Sequence, residues 1–103
     1  MGHERCGAVD AALAVVEKNA TFPGSIGQML EPIVPAALAA KSAAASNASR
    51  DDVLDGAVKE NVKRVANRLA TQSPVIQEAV RAGKLKIVPA HYDLDDGDVD
   101  FLE

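Results

Sequence analysis

An α/β fold, rich in helix and closing on a pair of strands, is predicted by three observations. Apolar residues recur at helical spacing from Ala8 to about Gly83. The pattern then changes to β-rich runs around an Asp-Gly turn between Leu85 and Leu102. The 103 residues allow one small domain, able to bury roughly 65% of the surface its unfolded chain exposes.

Ala8 to Lys18 is built from strong helix formers and sets Val9, Leu13 and Val16 on one face, which should be buried. The stretch "NATFPGS" reads as a loop, with Ser25 as a cap for a segment from Ile26 to about Glu31. Pro32 and Pro35 each remove a backbone donor, so a break is expected near Glu31 and a new Ala-rich helix through about Ala45. Ser49 followed by Asp52 is a variant capping box. Leu54, Val58, Val62, Val65 and Leu69 then form one apolar stripe. Ser73-Pro74 opens a short helix carrying Val75, Ile76, Ala79 and Val80, and Gly83 marks its end. Two strands are expected across residues 85–102, with Asp96-Gly97 between them and Pro89 at a bulge, an edge or a strand end.

Two late strands cannot cover the apolar faces of several helices. An α/β fold would use a parallel sheet, whose earlier strands should precede His3.

Composition narrows the function classes. Net charge is −4, and the 11 Lys and Arg residues are not interleaved with aromatics, so no footprint for nucleic acid is present. No apolar run suits a membrane span and the start carries no secretory signal. A single Cys excludes an internal disulfide framework. The expectation is a soluble protein of a reducing compartment, the cytoplasm, so Asn19-Ala20-Thr21 is not read as a glycosylation site.

His3 and Cys6, three apart at the mouth of the first helix, are the candidate metal ligands. Zinc accepts imidazole and thiolate, and a turn from strand into helix brings both within reach of one ion. A helix N-terminus also stabilises the Cys6 thiolate. Spacing alone does not carry the assignment, because a His and a small Cys near a terminus usually bind nothing. His91 is read as a partly buried or surface residue rather than a ligand. Asp93, Asp95, Asp96, Asp98 and Asp100 lack the spacing to a terminal Glu that a calcium loop needs, and are read as a solvated turn and strand face. Glu4 and Arg5 are expected to face solvent or pair locally.

The segment "GHERCGAV" resembles the His-x-x-Cys-Gly-Ala segment of the β-class carbonic anhydrases, and "ENVKRVANRLATQSPVIQEAVRAGKLKIVPAHYDLDDGDVDFLE" resembles that family's closing block. Three separated motifs follow the family's order from Gly2 to Leu102. The resemblance implies the C-terminal portion of a β-carbonic-anhydrase-like fold, a partial domain over residues 1–103 with helices across about 7–82 and strands across about 85–102. It implies a zinc enzyme that reversibly hydrates carbon dioxide to bicarbonate, zinc supplying the nucleophile by lowering the pKa of water. His3 matches the family's zinc histidine and Cys6 its second zinc cysteine. The first zinc cysteine and an Asp-Arg pair belong to a Cys-x-Asp-x-Arg segment, which this chain does not contain. The chain is therefore expected to begin at an internal Met of the enzyme and to turn over little or nothing alone. The other reading is a non-catalytic association module, a homo-oligomer or a complement to another chain. In one variant, two chains pool His3 and Cys6 in a closed structural Cys2His2 zinc site.

Overall fold

The computed structural model describes all 103 residues. Its elements are β1 (Gly2–His3), α1 (Gly7–Lys18), α2 (Ile26–Leu30), α3 (Val34–Ala43), α4 (Arg50–Gln72), α5 (Pro74–Arg81), β2 (Ala90–Tyr92) and β3 (Val99–Phe101). The core lies where α1, α3 and α4 meet. Val9, Ala12 and Leu13 pack with Ala37 and with Leu54, Ala57 and Val58. Alanine sets the spacing: Gly56 lies close enough to α3 that a Cβ there would stand 3.7 Å from that of Ala40. With so few aromatics, helices must approach closely to fill their interface.

Helix ends follow the local chemistry. Ser49 Oγ accepts from the Asp52 N–H, and the Asp52 carboxylate accepts from the Ser49 N–H, closing the expected capping box. Ser73 Oγ accepts from the Ile76 N–H ahead of Pro74. Gly83 stops the chain beyond α5 at φ 74°. Ser25, expected as a cap, makes no capping bond and holds helical angles, because the preceding turn already directs α2. The Ala-rich helix ends at Ala43, two residues before the expected end, with Ala44 already extended.

The sheet corrects the sequence reading at both ends. It has three strands in the order β1-β2-β3, β1 pairing parallel with β2 and β2 antiparallel with β3. A parallel strand thus lies at Gly2–His3 itself, too short for alternation to reveal. The strand expected from Leu85 begins only at Ala90. Pro89 precedes it, at a strand end as anticipated. Coverage of the helices is also partial. On the α4 stripe Leu54, Val58 and Val62 are buried, Val65 is half-buried and Leu69 is 45% exposed. No residue of α5 is buried. No helix is long and apolar enough to cross a membrane.

Candidate metal centre

His3 closes the parallel strand β1, and Cys6 is the N-cap of α1. The turn between them passes through Arg5, a non-glycine residue at φ 52°. Both donors therefore stand at the carboxyl end of a parallel strand, where a strand-to-helix turn opens onto a crevice. His3 is exposed, and its Nδ1 lies 3.0 Å from the carbonyl oxygen of Glu4. A carbonyl only accepts, so this contact requires Nδ1–H and leaves the lone pair on Nε2, the atom a metal would take. Cys6 is half-buried against the helical core and free of any disulfide. Its carbonyl accepts from the Asp10 N–H at 2.9 Å, while its side chain makes no capping bond and keeps its sulfur free. A thiol and an imidazole are thus offered from one turn, and their chemistry fits zinc.

Two protein donors are one short of a catalytic zinc site and two short of a structural one. Cys6 is the only cysteine, and His91 is the only other histidine. His91 pairs with Gly2 in the sheet, whereas His3 pairs with Tyr92, so His91 and His3 point to opposite faces. His91 is 5% exposed, more deeply buried than the sequence suggested, and its Nε2 lies 3.1 Å from Asp55 Oδ1 on α4. That approach lacks hydrogen-bond alignment, and Nε2 has no directional partner. The residue faces α4 from β2 and does not complete a metal site with His3.

The His3–Cys6 turn is held from far along the chain. Glu4 Oε1 accepts from the N–H groups of Leu94 and Asp95, at 2.6 and 3.1 Å. The Arg5 guanidinium donates to both carboxylate oxygens of Asp95, at 3.1 and 3.2 Å, a two-pronged pair. The Glu4 N–H donates to the Tyr92 carbonyl at 3.0 Å. Glu4 and Arg5 therefore pair with the distant hairpin as well as with each other, which corrects the expectation of solvent or local pairing. Asp95, through its hydrogen bond and its charge, raises the pKa of Arg5.

Asp93 organises the hairpin turn. Its Oδ1 accepts from the N–H groups of Asp95 and Asp96, at 2.8 and 3.3 Å, and its backbone bonds to Asp98 and Gly97. Asp95's amide first and Asp96's second hold the Asp93 carboxyl below the usual range, with Glu4 and Arg5 adding to the effect. Gly97, at φ 79°, takes the conformation that the Asp-Gly pair predicted. Glu4, Asp93 and Asp95 offer oxygens within 4.8 Å of one another. Those oxygens already accept the backbone amides and Arg5, so the cluster is a clamp carrying its own cation.

The comparisons with known proteins agree with this geometry. A family model described as carbonic anhydrase matches residues 1–99. The chain is 32% identical to carbonic anhydrase 2 of Mycobacterium tuberculosis over 97 residues, covering 94% of this chain and 44% of the relative. It is 28% identical to a carbonic anhydrase of Mycolicibacterium smegmatis over 100 residues, covering 97% of this chain and 46% of the relative. A solved structure of the β-carbonic anhydrase CcaA superposes with a TM-score of 0.75 at 24% identity, covering 98% of this chain and 48% of that one. The chain thus spans just under half the length of the curated relatives it matches. With the family model covering nearly every residue and the partial fold reproduced in space, the chain belongs to the β-carbonic anhydrase family.

Proposed function

We propose that this chain contributes His3 and Cys6 to the zinc centre of a carbonic anhydrase domain whose complete form reversibly hydrates carbon dioxide to bicarbonate. The observation that carries the reading is the turn itself: a histidine with its Nε2 lone pair free and an N-cap thiol, presented together at the end of a parallel strand in a chain of this family. Bound zinc would supply Lewis acidity and lower the pKa of a water molecule. The contribution of this chain is positional. The Glu4 carbonyl fixes the His3 tautomer, and Cys6, as N-cap of α1 with no side-chain capping bond, leaves its sulfur free for a metal. The clamp to Leu94 and Asp95 holds the turn between them. A single free cysteine is in keeping with a reducing compartment such as the cytoplasm.

With two donors from one chain, turnover needs ligands from elsewhere, so the isolated chain is expected to hydrate carbon dioxide at close to the uncatalysed rate. Native mass spectrometry of the zinc-supplemented protein, beside Cys6→Ser and His3→Ala, tests the donor assignment. Either substitution should abolish zinc retention. Equal zinc content in all three proteins would overturn the assignment, and robust zinc-dependent turnover by the pure chain would overturn the need for further ligands.

A second reading, association with another chain, is favoured by apolar side chains left in solvent: Met1 is 80% exposed, Val75 81% and Phe101 71%. One zinc per two chains in the same spectrum would support the pooled structural site. A monodisperse, zinc-free monomer at high concentration would exclude that variant.

A further inference from the structure

We propose that the cleft between Pro32 and Pro35 on one wall and Arg64, Asn67 and Arg68 of α4 on the other binds a small phosphate monoester by its phosphoryl group. The inference goes beyond the carbonic anhydrase reading and shares no residue with the turn that bears His3 and Cys6.

The other arginines of this chain are paired. Arg5 holds Asp95, Arg50 holds Asp10 and Glu17, Arg64 holds Glu60 and Arg81 holds Glu78. Arg68 alone has no carboxylate partner, in a chain whose acidic residues outnumber its basic ones, and its guanidinium makes no hydrogen bond to the protein. Arg64 gives only its Nε to Glu60, at 2.9 Å, which leaves both terminal nitrogens free. Asn67 accepts from Thr71 Oγ1 through its backbone carbonyl, and its side-chain amide has no partner. Residues three and four apart are neighbours on a helix, so these three side chains share one face of α4. Two like charges at that spacing repel, and an anion held between them removes the repulsion.

The facing wall supplies shape rather than donors. Pro32 and Pro35 have no N–H, the Val34 N–H is taken by the Glu31 carbonyl, and those of Ala36 and Ala37 are taken by Ile33. The corner between α2 and α3 is therefore a stiff wall of proline rings, and α4 provides every donor. The cleft encloses about 270 Å³, which leaves room for a small organic group against the rings beside the phosphoryl oxygens.

The donor set selects the ligand. A carboxylate has two oxygens and is satisfied by one guanidinium fork. A phosphoryl group on a single ester carries three acceptor oxygens and about −1.5 to −2 charge near pH 7. It can therefore take the Arg68 fork, the terminal nitrogens of Arg64 and the Asn67 amide together. A nucleic-acid strand is a poor match, because the cleft has no aromatic ring for a base and the chain as a whole carries −4.

The test titrates the isotope-labelled chain with methyl phosphate, and separately with acetate, at about 0.15 M ionic strength, where diffuse surface attraction is screened. The Asn67 side-chain amide and the Arg64 and Arg68 guanidinium resonances should shift and saturate at millimolar methyl phosphate, with acetate at least about tenfold weaker. Arg68→Lys keeps the charge and loses the fork, and should weaken binding about tenfold or more. Arg81→Gln removes an exposed arginine of α5 and should leave binding unchanged. Both substitutions lie at exposed positions, so circular dichroism should match that of the parent chain. Absence of a saturable shift, an equal response to acetate, full affinity in Arg68→Lys, or an equal loss in Arg81→Gln would each overturn the proposal. Zinc retention by His3 and Cys6 is read separately, so failure of the anion cleft and failure of the zinc site are distinguishable.

Discussion

Gly2 shows how tightly single positions are constrained around the metal-binding turn. A Cβ there would meet Val62 and approach Val58, both on α4, whereas a Cβ on Gly7 meets nothing within 4 Å. Gly2→Ala should destabilise the fold by about 1–3 kcal/mol through overpacking, and Gly7→Ala should be neutral or mildly stabilising; urea denaturation of the two variants checks the contrast. Asp93 carries the pH dependence of the turn. Its carboxyl is held below the usual range by the amides of Asp95 and Asp96. Its stabilisation is therefore fully present above the ordinary Asp pKa and is lost as pH falls through the lowered one. The Asp95 and Asp96 amide resonances should hold their shifts down to the ordinary Asp range and move only below it, and Asp93→Asn should weaken that dependence. His3 and Cys6 were legible because their types and spacing carry chemistry. The partners of Glu4, Arg5 and His91 were not, since Asp95 and Asp55 lie far from them in sequence and no periodicity joins them.

Among the elements, legibility follows the range of the signal. The α4 capping box and the Ser73-Pro74 start are complete within four residues, and both form where the sequence places them. Ser49→Ala should cost about 1 kcal/mol, read as a lower urea midpoint with unchanged m-value, because α4 contributes Leu54, Ala57 and Val58 to the core. Ser73→Ala should unfold less of the molecule, since no residue of α5 is buried. Hydrogen exchange would separate the two, the first variant accelerating exchange across the core helices and the second mainly within α5. Strands were less legible. β1 is two residues long and depends on pairing with Ala90–Tyr92, so its signal resides in a partner rather than in its own pattern. The residues before Ala90 have strand composition, with Leu85 and Lys86 exposed and Ile87 to Pro89 half-buried, but no partner strand, which is why composition alone placed the strand start too early.

For the molecule as a whole, the core is helical and the sheet is an edge feature attached to it. Removing a large buried side chain at the helical junction should be costly: Leu13→Ala, at a fully buried position, is expected to lose about 2–5 kcal/mol by urea denaturation. The same loss at exposed Phe101 should be small. Stopped-flow measurement of carbon dioxide hydration by the isolated, zinc-supplemented chain should give a rate near that of buffer, because its single cysteine and exposed histidine cannot close a zinc coordination sphere. The clamp of Arg5 onto Asp95 has a kinetic consequence. These partners are separated by 90 residues, while the helical core draws on contacts formed between them. Bringing the two segments together carries the entropy of a long loop, so the helices should assemble first and the turn bearing His3 and Cys6 last. During synthesis that turn emerges ahead of the hairpin that holds it, leaving its thiol and imidazole open to adventitious metal until the hairpin arrives.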